Sequence, residues 1–367
     1  MALLLRSVQY GTVVIAANSA SGTATLSTAV DTTRSYARFL GWLTGDLSYV
    51  SAQDHPDIVL TNSTTVTATT STTNATNTRT VYFAVIQFAT GAVSSIQTSA
   101  IVLNGVASNT ATINSVDTTR AWTEWAGSIQ SGASNDWNYH PGSCQLTDAT
   151  TVTALKNSAA VNALTVRCIT IEMASGYTDS VQTITTLIAA GATTGDTVIT
   201  AVTDGDTMLS WGGWILDLFA SNVYARYPYT HRTSTTNVRA TRGATSATTA
   251  RTYCAVVEFA AGYVSSRQAG QTAIATTTQT KDNAISSITL QYSLLSWLGE
   301  TSNGSGAGNG AIFFAANSLT STTNVRQERG SATSTTVTTS WEVLQSAPTT
   351  FIVNPLDGPI AMRGFVR

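Results

Sequence analysis

Three histidines, His55, His140 and His231, sit in the strings QDHPDI, NYHPGS and YTHRTS. Imidazoles recurring in similar company could ligate a metal ion or shuttle protons. No second histidine or cysteine stands at ligand spacing from any of them, so they read as surface-loop histidines and no metal site is expected. Asp54 and Asp57 flank His55 and could offer oxygen ligands, but they lack the spacing of a calcium-binding loop. Cys144, Cys168 and Cys254 are odd in number and form no CxxC pair, which argues against a disulfide framework or a zinc site. The glycine run GSGAGNGA (304–311) resembles a dinucleotide loop in composition alone; it follows no βα unit, opens no helix and reads as a flexible loop. Neither a GxSxG elbow nor an HExxH helix occurs. With 20 acidic residues in 367, paired carboxylates are scarce. No catalytic residue and no cofactor is expected, and the chain reads as non-enzymatic.

Aromatic side chains are the remaining candidates. Trp137 and Tyr139 lie in NDWNYHP, and Tyr224, Tyr227 and Tyr229 in NVYARYPYTH. Rings in loops can be contact hot spots or platforms for stacking a sugar; the alternative is that they cover the edge of their own core. Nucleic acid is an unexpected partner, because no basic stripe is visible. No apolar run reaches the roughly 18 residues that span a bilayer. The opening MALLLRSVQY is too short for a signal-peptide core, so synthesis without export is expected.

The elements that carry these residues come from a sequence written four times. Four anchors recur in the same order. A Ser-x-Gln opening appears as SVQ (7–9), SIQ (95–97), SVQ (180–182) and SRQ (266–268). VDTTRSYARFLG (30–41) is answered by VDTTRAWTEWAG (116–127), VTDGDTMLSWGG (202–213) and ITLQYSLLSWLG (288–299). A threonine-rich run follows, as TNSTTVTA, TDATTVTA, TSTTNVRATRG and TSTTNVRQERG. VIQFATG, TIEMASG, VVEFAAG and a degenerate VLQSAPT close the units. The aromatics Phe39, Trp125, Trp211 and Trp297 and the glycines Gly41, Gly127, Gly213 and Gly299 each return every 86 positions. The units run 7–91, 94–176, 180–262 and 265–346, with a tail at 347–367.

Threonine supplies 67 residues and charged residues only 10%, against roughly 25% in an ordinary soluble domain. β-Branched, hydroxylated side chains suit a half-buried pleated surface. TVTATT and TVTAL alternate with period 2, and VYFAVIQF is a run for a strand covered on both faces. Short strands with turns every 8–12 residues predict an all-β chain of four tandem small β-sandwich domains of about 86 residues each, plus a short C-terminal tail. Each aromatic-x-Gly pair is read as the anchor of its own small core, with the glycine letting the ring lie against the strand or the strand bulge. Loss of one ring should then loosen its own unit alone. Cys168 and Cys254 share the place held by Phe83 and Trp341, which makes it a core position. Asp31 and Asp117 are expected to cap a turn through Asx hydrogen bonds. The stretches 42–60, 128–146, 214–232 and 300–319 share little and individualise the units.

The Ser-x-Gln opening, VDTTR…FLG, the threonine run and the closing VVEF give a unit that resembles the tandem-repeat accessory structural proteins of tailed bacteriophages. The resemblance implies a virion protein without catalysis: a head decoration, a tail or collar part, or a fibre. It implies symmetric contacts with copies of itself, as a trimer or ring, and with other virion proteins. An atypical fourth unit and the tail would form a capping or docking end. The second reading is an adhesin module that binds a host-surface glycan or receptor through its loop aromatics. No membrane partner is expected.

Overall fold

Residues 3–44, 55–70, 77–130, 142–156, 163–216, 227–303, 314–332 and 335–348 are described by a computed structural model. Every repeat yields the same six strands. The first gives β1 (Leu5–Ile15), β2 (Ser21–Thr25), β3 (Ser35–Thr44), β4 (Asp57–Asn62), β5 (Thr65–Thr69) and β6 (Arg79–Phe88). The second gives β7 (Val93–Leu103), β8 (Ser108–Thr112), β9 (Ala121–Gln130), β10 (Gly142–Asp148), β11 (Thr151–Lys156) and β12 (Leu164–Met173). The third gives β13 (Thr178–Ile188), β14 (Thr194–Val198), β15 (Thr207–Leu216), β16 (Pro228–Ser234), β17 (Asn237–Arg242) and β18 (Ala250–Phe259). The fourth gives β19 (Val264–Ile274), β20 (Thr280–Ala284), β21 (Ser293–Ser302), β22 (Ala315–Ser321), β23 (Asn324–Arg329) and β24 (Val337–Ser346).

The repeated sequence anchors are the local devices of these strands. In β5 the alternation TVTAT buries Val66 and Ala68 and leaves its threonines half-covered. The β4–β5 turn is closed by Asn62 Oδ1, which accepts from the Thr64 N–H at 2.9 Å; Asp148 and Ser234 do the same in the next two repeats, as Asx and ST turns do. The glutamine of Ser-x-Gln is a latch. Gln9 accepts from the Thr28 N–H and donates to the Thr28 carbonyl, at 3.0 and 2.8 Å. Gln97 treats Asn114 in the same way, Gln182 Thr200, and Gln268 Ser286. Two bonds from one amide pin the first strand to the segment that leads into the third. The serine of the motif meets the polar residue of the closing strand, as Ser7 does Gln87 and Ser180 does Glu258. Asp31 and Asp117 accept from the Thr33 and Thr119 N–H groups at 3.0 Å, the expected Asx turns. These hydrogen bonds lower the pKa of both exposed carboxyls.

The strands assemble differently from the expected sandwiches. Four six-stranded antiparallel sheets form, and each takes three strands from one repeat and three from the preceding one. The orders are β7-β12-β9-β4-β5-β2, β13-β18-β15-β10-β11-β8, β19-β24-β21-β16-β17-β14 and β1-β6-β3-β22-β23-β20. The last sheet joins the first repeat to the fourth and closes the circle. The arrangement is a four-bladed propeller in which every blade straddles a repeat boundary. The fourth repeat therefore closes the ring and is not a free capping end; the tail from residue 349 lies outside the described residues. Within the first repeat β5 pairs with β2 and β4, and β4 alone carries the three-stranded piece onto the following repeat, through β9.

Candidate functional site

The four aromatic-x-Gly motifs sit where blades join. Gly41, Gly127, Gly213 and Gly299 have φ between 91° and 111°, a region that favours glycine. Each pairs across the repeat boundary: with Ala316, Asp57, Ser143 and Tyr229 respectively. A Cβ at these glycines would meet the backbone carbonyl oxygen of the neighbouring repeat's strand at 2.3–2.5 Å. The register of β3, β9, β15 and β21 against its partner within the repeat slips at this place. The glycine thus makes a bulge that lets the previous repeat's strand dock against bare backbone.

The rings lead inward from those bulges. β3, β9, β15 and β21 each contact the next, and β21 returns to β3. Phe39 lies edge-on to Trp125 at 5.1 Å and to Trp297 at 5.8 Å; Trp211 meets Trp297 at 6.0 Å; Trp125 and Trp297 stack across the centre at 6.3 Å. All four are buried. The anchors expected to serve four separate cores meet in one, and a single hydrophobic cluster runs through all four repeats. Phe83, Cys168, Cys254 and Trp341 are buried in it.

One residue before each ring is Arg38, Glu124, Ser210 or Ser296, and these four line a void of about 10 Å³ between the rings. Arg38 Nε donates to Glu124 Oε2 at 3.0 Å, and Nη2 to Oε1 of the same carboxylate. Nη1 donates to Ser296 Oγ at 3.0 Å. Tyr36 Oη and Trp122 Nε1 complete the shell of Glu124 at 3.1 and 3.2 Å. A paired charge at the centre is a means of fixing which repeats are neighbours.

Described flanks of the variable stretches of the first, third and fourth repeats meet in one cluster of rings. Trp42 stacks on Phe314 at 4.3 Å; His55 lies 5.0 Å from Trp42 and 6.4 Å from Tyr227; Tyr227 lies 5.5 Å from Trp214. His55 is 1% exposed, which corrects the surface-loop reading for that residue: its imidazole fills space between rings from three repeats. Tyr227 and Tyr229 are likewise buried, so neither is an exposed platform; Tyr227 packs between Trp214 and Phe314, and Tyr229 lies 5.7 Å from His231. Trp137, Tyr139, Tyr224, His140, Asp54 and the glycine run lie outside the described residues. Beside this cluster Glu300 is buried, and its Oε2 accepts from the Ala315 N–H at 2.6 Å. Burial pushes its carboxyl well above the ordinary value, against the opposing effect of that hydrogen bond.

One blade joint breaks the repeat. At three of the four joints, equivalent positions carry Leu60, Ile96 and Ile169; Leu146, Val181 and Ala255; Leu319, Val8 and Ala84. At the joint of the third and fourth repeats they carry Arg232, Arg267 and Glu342, as the strand registers establish. These line a pocket of about 560 Å³ with Asp204, His231 and Trp341. Arg232 Nη2 donates to Asp204 Oδ1 at 2.8 Å, Arg267 Nη1 to the same oxygen at 3.1 Å, and Arg267 Nη2 to Glu342 Oε1. Glu342 Oε2 accepts from the Leu209 N–H at 2.7 Å. The side chains of Arg232, Arg267 and Glu342 are 1%, 10% and 2% exposed, that of Asp204 66%. Buried Arg232 Nε and Nη1, Arg267 Nε, His231 Nδ1 and Ser340 Oγ have no protein partner. Burial, and then the adjacent Arg267 charge, lower the Arg232 guanidinium; burial, followed by Arg239, lowers His231, keeping its imidazole neutral.

The sequence held a signal for this pocket: the opening SRQ puts a charge where SVQ, SIQ and SVQ put an aliphatic residue. Arg232 and Glu342 need the strand register before their equivalents are known. No group of three metal-ligating side chains gathers among the described residues. No protein-family model and no curated protein matches the chain.

Proposed function

We propose that the chain is a non-enzymatic structural protein of a bacteriophage virion, a closed rigid ring that takes its place through symmetric contacts with copies of itself and with other virion proteins. The observation that carries this reading is the meeting, in one cluster, of rings that flank the variable stretches of the first, third and fourth repeats. Such stretches can be fitted to partners while the repeated strand frame is kept. A surface poor in charge and rich in hydroxyls suits many weak contacts multiplied by symmetry, and a pre-ordered ring keeps the ordering cost of each low. Such a protein would be found in the particle as head decoration, tail or collar part, or fibre. Mass spectrometry of purified particles tests the reading: stoichiometric copies are expected, and absence from intact particles overturns it.

A second reading, a host-surface glycan or receptor adhesin, is favoured by the polar pocket between the third and fourth repeats and not by Tyr227 or Tyr229, which are buried.

A further inference from the structure

We propose that the pocket at the joint of the third and fourth repeats binds a small acidic sugar, its carboxylate held by Arg232 and Arg267. This site deepens the adhesin reading and does not depend on the virion one.

The argument begins with the departure from the repeat. Three joints close on aliphatic side chains, so the fold itself requires no charge there. Burying two guanidiniums and a carboxylate where leucine, valine and alanine fit is costly, and such costs concentrate where they serve function. The donor arrangement then selects the ligand. Arg232 spends Nη2 on Asp204 and leaves Nε and Nη1 buried and without a protein partner. Each can give a charge-assisted hydrogen bond to a carboxylate oxygen. Arg267 Nε and Ser340 Oγ add further donors in the same pocket.

Size and lining point beyond a bare ion. About 560 Å³ lies within the roughly 300–1,000 Å³ of small-molecule sites, and an inorganic anion would fill little of it. Thr233, Ser234, Thr235 and Gln271 line it, offering the mixed donors and acceptors that sugar hydroxyls require. Asp204, two-thirds exposed, stands at the outer side and bridges both arginines, so it holds the two guanidiniums in position before the ligand arrives.

Calorimetric titration of the whole chain with glucuronate, glucose, acetate and inorganic phosphate tests the proposal. Glucuronate should bind. Glucose, which brings no carboxylate to the guanidinium donors, should bind at least roughly tenfold more weakly. Acetate, which lacks the hydroxyls, should also be weaker. Glucose equal to glucuronate, phosphate or acetate tighter than glucuronate, or no binding by any of the four overturns the proposal.

The combined variant Arg232→Leu, Arg267→Val, Glu342→Ala carries the residues found at the other joints. It should fold with an unchanged or higher melting temperature and lose glucuronate binding. Retained affinity, or a lower melting temperature that marks the charges as structural, overturns the proposal. Arg232→Lys keeps the charge without the separate Nε and Nη1 donors, and its affinity should fall by roughly tenfold; wild-type affinity would count against the proposal. Absence of the chain from particles would overturn the virion reading and leave these titrations unaffected.

Discussion

Arg38 and Glu124, 86 positions apart in the chain, close an ion pair at the centre of the ring, Nε to Oε2 at 3.0 Å, with both side chains 5% exposed. They occupy the same place in two successive repeats, and Ser210 and Ser296 hold that place in the other two. The pair therefore marks the joint of the first and second repeats, as Arg232, Arg267 and Glu342 mark that of the third and fourth. Removing one partner strands a buried charge: Arg38→Met should cost about 3–5 kcal/mol. Adding Glu124→Gln, which keeps an acceptor for Tyr36 and Trp122, should recover much of that loss. Chemical denaturation of the two single variants and the double variant measures the coupling. Additive losses would show that the pair does not act as a unit.

The glycines at the joints and those in the turns should respond differently. Gly127→Ala places a Cβ 2.3 Å from the Pro56 carbonyl oxygen at φ +111°, whereas Gly91, at φ +80°, has nothing within 4 Å of such an atom. Strain and backbone collision together should cost Gly127→Ala roughly 3 kcal/mol or more. Gly91→Ala should cost about 1–2 kcal/mol, from its positive φ alone. Thermal melts of the two variants compare them directly.

Glu300 makes stability fall as pH rises. Its folded-state pKa is raised above the ordinary 4.5 by burial. Above about pH 4.5 the unfolded chain ionises this group while the folded chain keeps its proton, so the folded state is progressively disfavoured up to the raised folded pKa. Glu300→Gln retains an acceptor for the Ala315 N–H and removes the titration. The variant should melt with the wild type at pH 4 and above it at pH 7. Parallel melting curves across that range would refute the assignment.

The cysteines report on the integrity of the shared core. All three are free and buried. Burial, followed by the charge of Glu342, pushes the Cys254 thiol up to about 12, and burial, with Cys168 beside it, raises Cys144. Reaction requires the thiolate and access. A disulfide reagent at pH 8 should label none of the three in the folded chain and all of them in one phase on unfolding. Early labelling of Cys254 alone would show that the third repeat opens by itself.

The strands and the repeat were legible because both are local. The alternation in TVTAT, the Asx turns at Asp31 and Asp117, and the shared core place of Cys168 and Cys254 all follow from residues near one another in the chain. Strand partnership was not legible. Phe39 and Gly41 announce a ring and a bulge, but nothing within one unit says that Gly41 pairs with Ala316 from the far end of the chain. The same blindness hid most of the charged joint: Arg267 stands out in SRQ, but Arg232 and Glu342 join it as a site only when the register aligns them with Leu146 and Ala255. His55 and Tyr227 were misplaced for the same reason, since each is also packed against rings of other repeats: Tyr227 and Phe314 for His55, His55 and Phe314 for Tyr227.

Trp297→Ala, followed by hydrogen exchange across the chain, tests the interleaved ring most directly. Trp297 touches Phe39, Trp125 and Trp211, and its loss should cost about 3–5 kcal/mol. The account predicts that protection falls together in β3, β9, β15 and β21, one strand from each repeat. Protection lost only within residues 265–346, with the other three repeats unchanged, would contradict it.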